Sequence, residues 1–418
     1  MSFLSRAMDV ASSAAKMAAS MAAGTSLPFE LGPEITSYIG PWKMYTGKKE
    51  NKEGIKEPVS IFIYDLKTKK NEQEHSLVKN ALKRLRTMKH PYLLKCIDAG
   101  EQLDGKGGGQ IWMVTEPVQP LEDVIDSLRE APGSVAWGTY TLTAAIKFLN
   151  IDCNIVHGQV CMASLFVDKG MDWKLGGFEL LAPSADVDAA YFATAKDVLP
   201  KRYQAPEISR GQLEALMRIP VAADWWALGC TVFEVFCGTI RSPSDLKNPV
   251  GMPEVLRTDF MRLLQSNPGG RLRPAELLCN PVFEDDYVSL QIFLETLNVK
   301  DAVEKDRFFT KLADRVPALP KPAAQWKVLP ALNNSLEFGG GSARALEPLL
   351  MIANVLSEEE YQEQVVPTII KLFSNTDRQM RLPLLERLPM MVEHLSPKVR
   401  SIMRHLLTVR PRAPEVPR

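Results

Sequence analysis

The sequence predicts an α+β chain of two lobes followed by an all-α helical array. Three observations carry that reading. Residues from about 30 to 115 are rich in strand formers and hold one amphipathic helix, residues from about 120 to 300 are mostly helical, and beyond 300 come Pro-punctuated helices in a repeating pattern. At 418 residues the chain exceeds what one ordinary core supports. The divisions read from composition are an N-terminal arm, 1–26, a β-rich lobe, 27–117, an α-rich lobe, 118–300, helical repeats, 301–405, and a polar tail, 406–418.

The arm is rich in Ala, Ser and Met. Phe3, Leu4, Ala7, Met8, Ala11, Ala15, Ala18 and Met21 fall near helical spacing on one face. It has no continuous apolar core of the secretory type, so the readings are a frayed or disordered segment, an interfacial helix touching membrane through residues 1–24, or an organellar targeting peptide. In the first lobe, the run Pro58 to Tyr64 alternates and is rich in β-formers, so a strand is expected there. Glu72 to Lys89 places Leu77, Val78, Ala81, Leu82, Leu85 and Met88 on one helix face, and His90-Pro91 ends that helix. Ile97 to Glu101 and Ile111 to Glu116 read as a strand pair around the glycines at 105–109.

Beyond 300, Lys327-Val-Leu-Pro330 and Val365-Val-Pro367 each read as a helix opening, with the two prolines 37 residues apart. Glu347-Pro-Leu-Leu350 has a counterpart 35 residues on in Leu382-Pro-Leu-Leu385. Two nearly equal offsets predict a helix-pair repeat, whose units bury their apolar faces by stacking into a solenoid. About two units fit.

Composition excludes some functions. Lys plus Arg equals Asp plus Glu at 50 each, which gives no charge surplus to attract nucleic acid, and the basic residues from Lys79 to Lys89 read as a solvated helix face. No apolar run reaches the roughly 20 residues of a helical membrane span. The six cysteines form no CxxC pair, and those at 230 and 237 lie in apolar surroundings as buried thiols. Cys153, His157 and Cys161 lie four apart, yet no fourth ligand is apparent, so packing is the preferred reading and no metal is expected.

The order of short patterns within the first 300 residues resembles a protein kinase domain. Asp224-Trp-Trp-Ala-Leu-Gly229…Glu234 is similar to the kinase helix DxWxxG…E, and Ala205-Pro206-Glu207 is the APE motif. Arg271 stands where the family places the Arg that pairs with the APE Glu, so the resemblance implies a buried ion pair between Glu207 and Arg271. The expected architecture is therefore an α+β bilobal protein-kinase-like fold followed by all-α HEAT-type helical repeats.

The chemical groups of phosphoryl transfer are replaced at five positions. That reaction depends on cations and carboxylates that neutralise and position phosphate, so each loss counts. Phe62 in Val59-Ser60-Ile61-Phe62 stands where the phosphate-binding Lys belongs, and Ala81 where its Glu partner belongs. In His157-Gly158-Gln159-Val160-Cys161-Met162-Ala163-Ser164 the catalytic Asp is Gln159, which accepts no proton at neutral pH, and the metal-binding Asn is Ser164. In Lys174-Leu175-Gly176-Gly177-Phe178 the metal Asp is Gly177. The stretch from Ile39 to Gly47 is no G-x-G-x-x-G, and Pro41 and Trp42 hinder approach to a phosphate. The reading is a catalytically inactive chain with no cofactor and no nucleotide; the alternative is residual ATP binding or atypical kinase activity.

At those degenerate positions, and in Ser357-Glu-Glu-Glu-Tyr-Gln362 through Asp377-Arg378, the chain resembles the Scy-one-like, or N-terminal kinase-like, pseudokinases of the Golgi type over about residues 27 to 400. The resemblance implies a scaffold in Golgi-to-endoplasmic-reticulum traffic. It would be cytoplasmic, peripheral at Golgi or intermediate-compartment membranes, and would bind coat proteins (coatomer first, clathrin adaptor second) and small GTPases. Golgi-type members carry a longer array and a basic C-terminal coat-binding signal, where this sequence ends at Glu415-Val-Pro-Arg418; the expectation is either a truncated form or a chain that finds its membrane differently, with the arm supplying part of the contact. The other scaffold reading is a tRNA-related or cytoskeletal assembly.

Overall fold

The computed structural model describes residues 27–67, 71–103, 108–337, 343–374, 378–397 and 399–401, so the arm and the tail lie outside the described residues. The described residues form two compact units, one of residues 27–168 and 172–288, the other of 169–171 and 289–401.

In the first unit, strands β1 (Glu30–Ile35), β2 (Lys43–Glu50), β3 (Lys56–Asp65), β4 (Cys96–Leu103) and β5 (Gly109–Thr115) build an antiparallel sheet in the order β1-β2-β3-β5-β4. Strand β3 is central, and Val59 to Tyr64 are buried on both faces. Period-two alternation sends Val59, Ile61 and Ile63 to one face, where they pack with Phe29, Tyr45, Trp112 and Val114. The same alternation sends Ser60, Phe62 and Tyr64 to the other. Helix α1 (Glu72–Thr87) opens on Asn71, whose side chain accepts from the Gln73 amide, and it buries Val78, Ala81, Leu82 and Leu85. Leu77 and Met88, also on the apolar face by spacing, are only half-buried.

The short β6 (Val118–Pro120) leads into the helical lobe, where β7 (Ile155–Val156), β8 (Leu165–Asp168), β9 (Trp173–Leu175) and β10 (Ala182–Pro183) lie among α2 (Ser134–Lys147), α3 (Ala189–Val198) and α4 (Ala222–Cys237). Helix α4 is buried almost all round, as its apolar composition requires. Arg271 donates to the Glu207 carboxylate at 2.5 Å, to the Ala222 carbonyl at 2.9 Å and to the Gln265 carbonyl at 2.9 Å, tying the APE segment to the start of α4. The six cysteines are all free, but only Cys161 and Cys230 are fully buried; Cys237 is half-buried and Cys279 is exposed.

The second unit is helical. Leu290 and Leu294 of α5 (Asp286–Glu295), together with Leu297, pack into its core, so the division falls at 288/289 and not at the 300 drawn from composition. Next come α6 (Ala302–Arg315), α7 (Leu329–Glu337), α8 (Leu346–Ala353), α9 (Glu358–Gln364), α10 (Val366–Ser374) and α11 (Arg378–Glu386). Pro367 stands in the first turn of α10, where a missing N–H costs nothing. Pro330 does not open a helix. The chain is already helical from Lys321, and Ala324 to Val328 form a π-turn whose wider ring leads directly into α7 and Pro330. Pro348 and Pro383 both lie inside helices, α8 and α11, which pack on α7 and α10 respectively. Two helix pairs result, with Leu332, Leu349, Ile369, Phe373 and Leu384 in one core.

Truncating Arg271 to Met would leave the Glu207 carboxylate buried without its cation. The expected loss is about 3–5 kcal/mol, read as a lower urea midpoint for the unfolding of the first unit, and a double Glu207→Leu, Arg271→Met variant is expected to recover part of it.

Candidate functional site

The cleft between the two lobes is built around the cleft face of β3. Phe62 is 2% exposed and meets Phe166 of β8 edge-on, ring centres 5.7 Å apart. Tyr38, in the turn between β1 and β2, meets Phe62 edge-on at 5.5 Å and stacks on Phe166 at 5.9 Å. Three rings thus close on one another, each pair contributing about 0.5–1.5 kcal/mol beyond its buried area. Ala81 of α1 faces the same spot, with Leu85, Leu94 and Met113. The cavity left is about 20 Å³. That holds about one water, where small-molecule pockets need about 300 Å³ or more.

Polar groups close the cleft further. The Trp42 indole N–H donates to Glu179 Oε1 at 2.8 Å, pinning the turn before β2 to the segment after Phe178. Asn80, beside Ala81 on α1, donates to the Glu179 and Leu181 carbonyls at 2.9 and 3.1 Å. The Ser60 hydroxyl both accepts from the Val118 amide and donates to its carbonyl, each at 3.0 Å, so the backbone linking the lobes has its hydrogen bonds occupied from within. Burial pushes the Glu179 carboxyl up, and the Trp42 bond opposes it. Tyr38 is raised by burial first and by Glu179 second.

The loop 157–164 hangs from one carboxylate. Asp224 accepts from the His157 amide at 2.7 Å, the Gly158 amide at 2.8 Å and Asn150 Nδ2 at 2.8 Å. The His157 ring bonds the Gly176 carbonyl through Nε2 at 2.9 Å and accepts the Gln159 amide at Nδ1 at 3.2 Å. With both nitrogens engaged by backbone, this imidazole is a brace between the loop and the Gly176-Gly177 turn; its spacing with Cys153 and Cys161 reflects packing. Burial lowers its pKa to about 4, while burial raises Asp224 to about 6 against the three bonds it accepts.

Two of the degenerate positions interlock. Gly177 has φ +73, and a Cβ added there would meet Ser164 Oγ at 2.5 Å. Ser164 is itself fixed, donating to the Gln159 carbonyl at 2.7 Å. A side chain at 177, where the kinase resemblance expects a metal-binding carboxylate, is therefore opposed by backbone conformation and by the neighbouring hydroxyl. Phe62, Ala81, Ser164 and Gly177 thus gather at the cleft with Gln159 beside them, while Glu207 and Arg271 pair far along the chain, in the helical lobe. Sequence reasoning missed Tyr38, Phe166, Ser60 and Glu179. Tyr38 and Phe166 read as ordinary apolar positions, and only their spatial convergence gives them a role; Glu179 had a signal, a carboxylate one residue after the Phe of an otherwise apolar run.

Residues 51–277 match the protein kinase domain family. The chain belongs to that family, among its Scy1-like pseudokinases. It is 33% identical over 383 residues to the probable inactive serine/threonine-protein kinase scy1 of Dictyostelium discoideum, covering 91% of this chain and 46% of that protein. It is 30% identical over 358 residues to the mouse protein-associating with the carboxyl-terminal domain of ezrin, covering 81% and 45%. Human SCY1-like protein 2 is 23% identical over 424 residues, covering 88% and 44%. The pseudokinase thus spans about half the length of these relatives. The crystal structure of Cex1p has a similar fold, with a TM-score of 0.56 at 17% identity over 91% of this chain and 76% of that one.

Millimolar ATP with magnesium is expected to leave the melting temperature unchanged, whereas a ligand at a hundred times its Kd would add about 2.7 kcal/mol. Gly177→Asp should lower stability by about 1–3 kcal/mol through backbone strain and still give no magnesium-dependent shift in the same melt.

The pH dependence follows from His157. Its folded pKa of about 4 lies below the ordinary 6.5, so its contribution is full above pH 6.5 and is lost as pH falls toward 4. Asp224, raised to about 6, acts with the opposite sign over nearly the same range, so the comparison must be with a variant. The stability deficit of His157→Asn relative to the parent, from urea midpoints, is expected to narrow by about 2–3 kcal/mol between pH 7 and 4.

Proposed function

We propose that this pseudokinase is a binding scaffold in vesicle traffic between Golgi and endoplasmic reticulum, holding a coat protein and a small GTPase at a membrane surface. The observation that carries the scaffold reading is the cleft itself. Its own aromatic side chains fill the nucleotide position, while the carboxylates and ion pairs that build the kinase lobes are kept. A fold maintained without its chemistry is maintained for its surfaces. The helical second unit supports the same reading, since stacked helix pairs present extended faces suited to protein partners. The traffic assignment comes from the resemblance to Golgi-type Scy-one-like proteins; coatomer is the first expected partner and a clathrin adaptor the second. The attachment proposed is peripheral; no described helix is long and apolar enough to cross a membrane.

A second reading is a scaffold at the cytoskeleton. It is favoured by the mouse relative, whose name has it associating with the carboxyl-terminal domain of ezrin.

Affinity capture from cytosol with the whole chain separates the readings. Coatomer subunits are expected among the retained proteins. Retention of an ezrin-like protein without any coat subunit would favour the cytoskeletal reading, and retention of neither would remove both from these 418 residues.

A further inference from the structure

In protein kinases the segment between the metal-binding turn and the APE motif becomes ordered on phosphorylation, through an arginine that pairs with the phosphate. In this chain that segment runs from Glu179 to Gln204, and the chain's own groups hold it along its length. On the first lobe, Trp42 donates to Glu179 Oε1 and Asn80 donates to the Glu179 and Leu181 carbonyls. Farther along, Gln73 Nε2 at the start of α1 donates to Thr194 Oγ1 at 3.2 Å. On the helical lobe, β10 pairs with β7, Ala182 opposite Val156 and Pro183 opposite Ile155. The Ser184 amide extends that pairing, donating to the Asn154 carbonyl at 2.9 Å. Helix α3 opens on Asp188, which accepts from the Tyr191 amide at 2.8 Å. Gln204 Nε2 closes its far end by donating to the Lys196 and Leu199 carbonyls at 2.7 and 2.6 Å.

One side chain keys the middle of the segment. Tyr191 lies against Gly158, and with Phe192, Ala195, Ile208 and Asp224 the two leave a space of only about 10 Å³. The kinase pattern His-Arg-Asp carries its arginine at the position of Gly158. Here φ is +77, and a Cβ added at 158 would overlap the Tyr191 hydroxyl oxygen and stand 2.9 Å from Leu180 Cβ. The missing side chain is therefore what makes the notch that the phenol fills. The Tyr191 hydroxyl is buried and has no hydrogen-bond partner among the described residues, so the fit is one of shape and not of polar bonding. Phe192 and Ala195 of the same helix are buried beside it.

We propose that residues 179–199 form a permanent strap across the two lobes, locked by Tyr191 in the notch at Gly158 in place of a phosphate-dependent arginine contact. A segment that switches between order and disorder in kinases is here a fixed part of the surface. The proposal goes beyond the scaffold reading and is independent of which partner that scaffold binds.

The test is amide hydrogen exchange on the full chain, read by mass spectrometry on peptides covering 184–199. In phosphatase-treated protein, its intact mass confirming that no phosphate remains, these amides are expected to exchange about a hundredfold or more below unstructured rates. Tyr191→Phe should keep that protection, because the hydroxyl has no partner to lose. Tyr191→Ala empties the notch and should speed exchange at 189–199 about tenfold or more, while peptides of α4 stay protected. Gly158→Ala presses its Cβ on the hydroxyl and should loosen the same amides; adding Tyr191→Phe removes the overlapped atom and should recover part of the protection. The phosphate-free parent and Tyr191→Phe decide the matter even where the other variants fail to fold. Four results would each overturn the proposal: unprotected amides at 184–199 in the phosphate-free parent, lost protection in Tyr191→Phe, full protection in Tyr191→Ala, or a Gly158→Ala effect of the same size with Tyr and with Phe at 191.

Discussion

The carboxylate of Asp224 accepts hydrogen bonds from two consecutive loop amides and from Asn150, and the positions of His157, Gln159 and Ser164 follow from those bonds. Trp225, next on the helix, donates to the same Asn150 at 3.0 Å. The loop in turn sets the Gly176-Gly177 turn through the His157 ring. A buried carboxylate is tolerated because two backbone amides and the Asn150 side-chain amide donate to it, although burial still raises it to about 6. Deeper in the same lobe the Glu207–Arg271 pair ties the APE segment to the start of α4. Both devices are architectural, and neither touches phosphate chemistry. This is why the lobe survives intact when the chemistry is gone.

The inactive cleft is a built structure rather than a set of deletions. Once Phe62 replaces a cation, the cleft face of β3 becomes apolar, and burying it requires other apolar groups. Tyr38 and Phe166 supply them, and the small side chain of Ala81 leaves room for the rings. The Trp42–Glu179 bond then fixes the turn before β2 in the closed position. Each of these contacts is supported by the others. At Gly177 the backbone conformation and Ser164 oppose reversal directly.

The second unit shows a similar adjustment at its prolines. A proline in the first turn of α10 is neutral, whereas Pro330 falls within a continuous helical stretch and is preceded by a π-turn. Equivalent spacing in the sequence thus corresponds to two local solutions, and the helix-pair pattern survives because packing of Leu332, Ile369 and Phe373 in one core outweighs the local irregularity.

The sequence by itself determined the kinase-like lobes, the central strand and helix α1, because strand alternation, helix periodicity and motif order are local properties read along the chain. It also placed Glu207 and Arg271 as partners through motif order. It misplaced the unit boundary, since only packing assigns Leu290, Leu294 and Leu297 to the second core, and it misread Pro330, since a π-turn leaves no mark in residue spacing. Tertiary structure alone decided that the cleft is filled. Tyr38, Phe62 and Phe166 are separated by long stretches of sequence, and a contact among three rings depends on how the sheet, the turn and the loop converge in space.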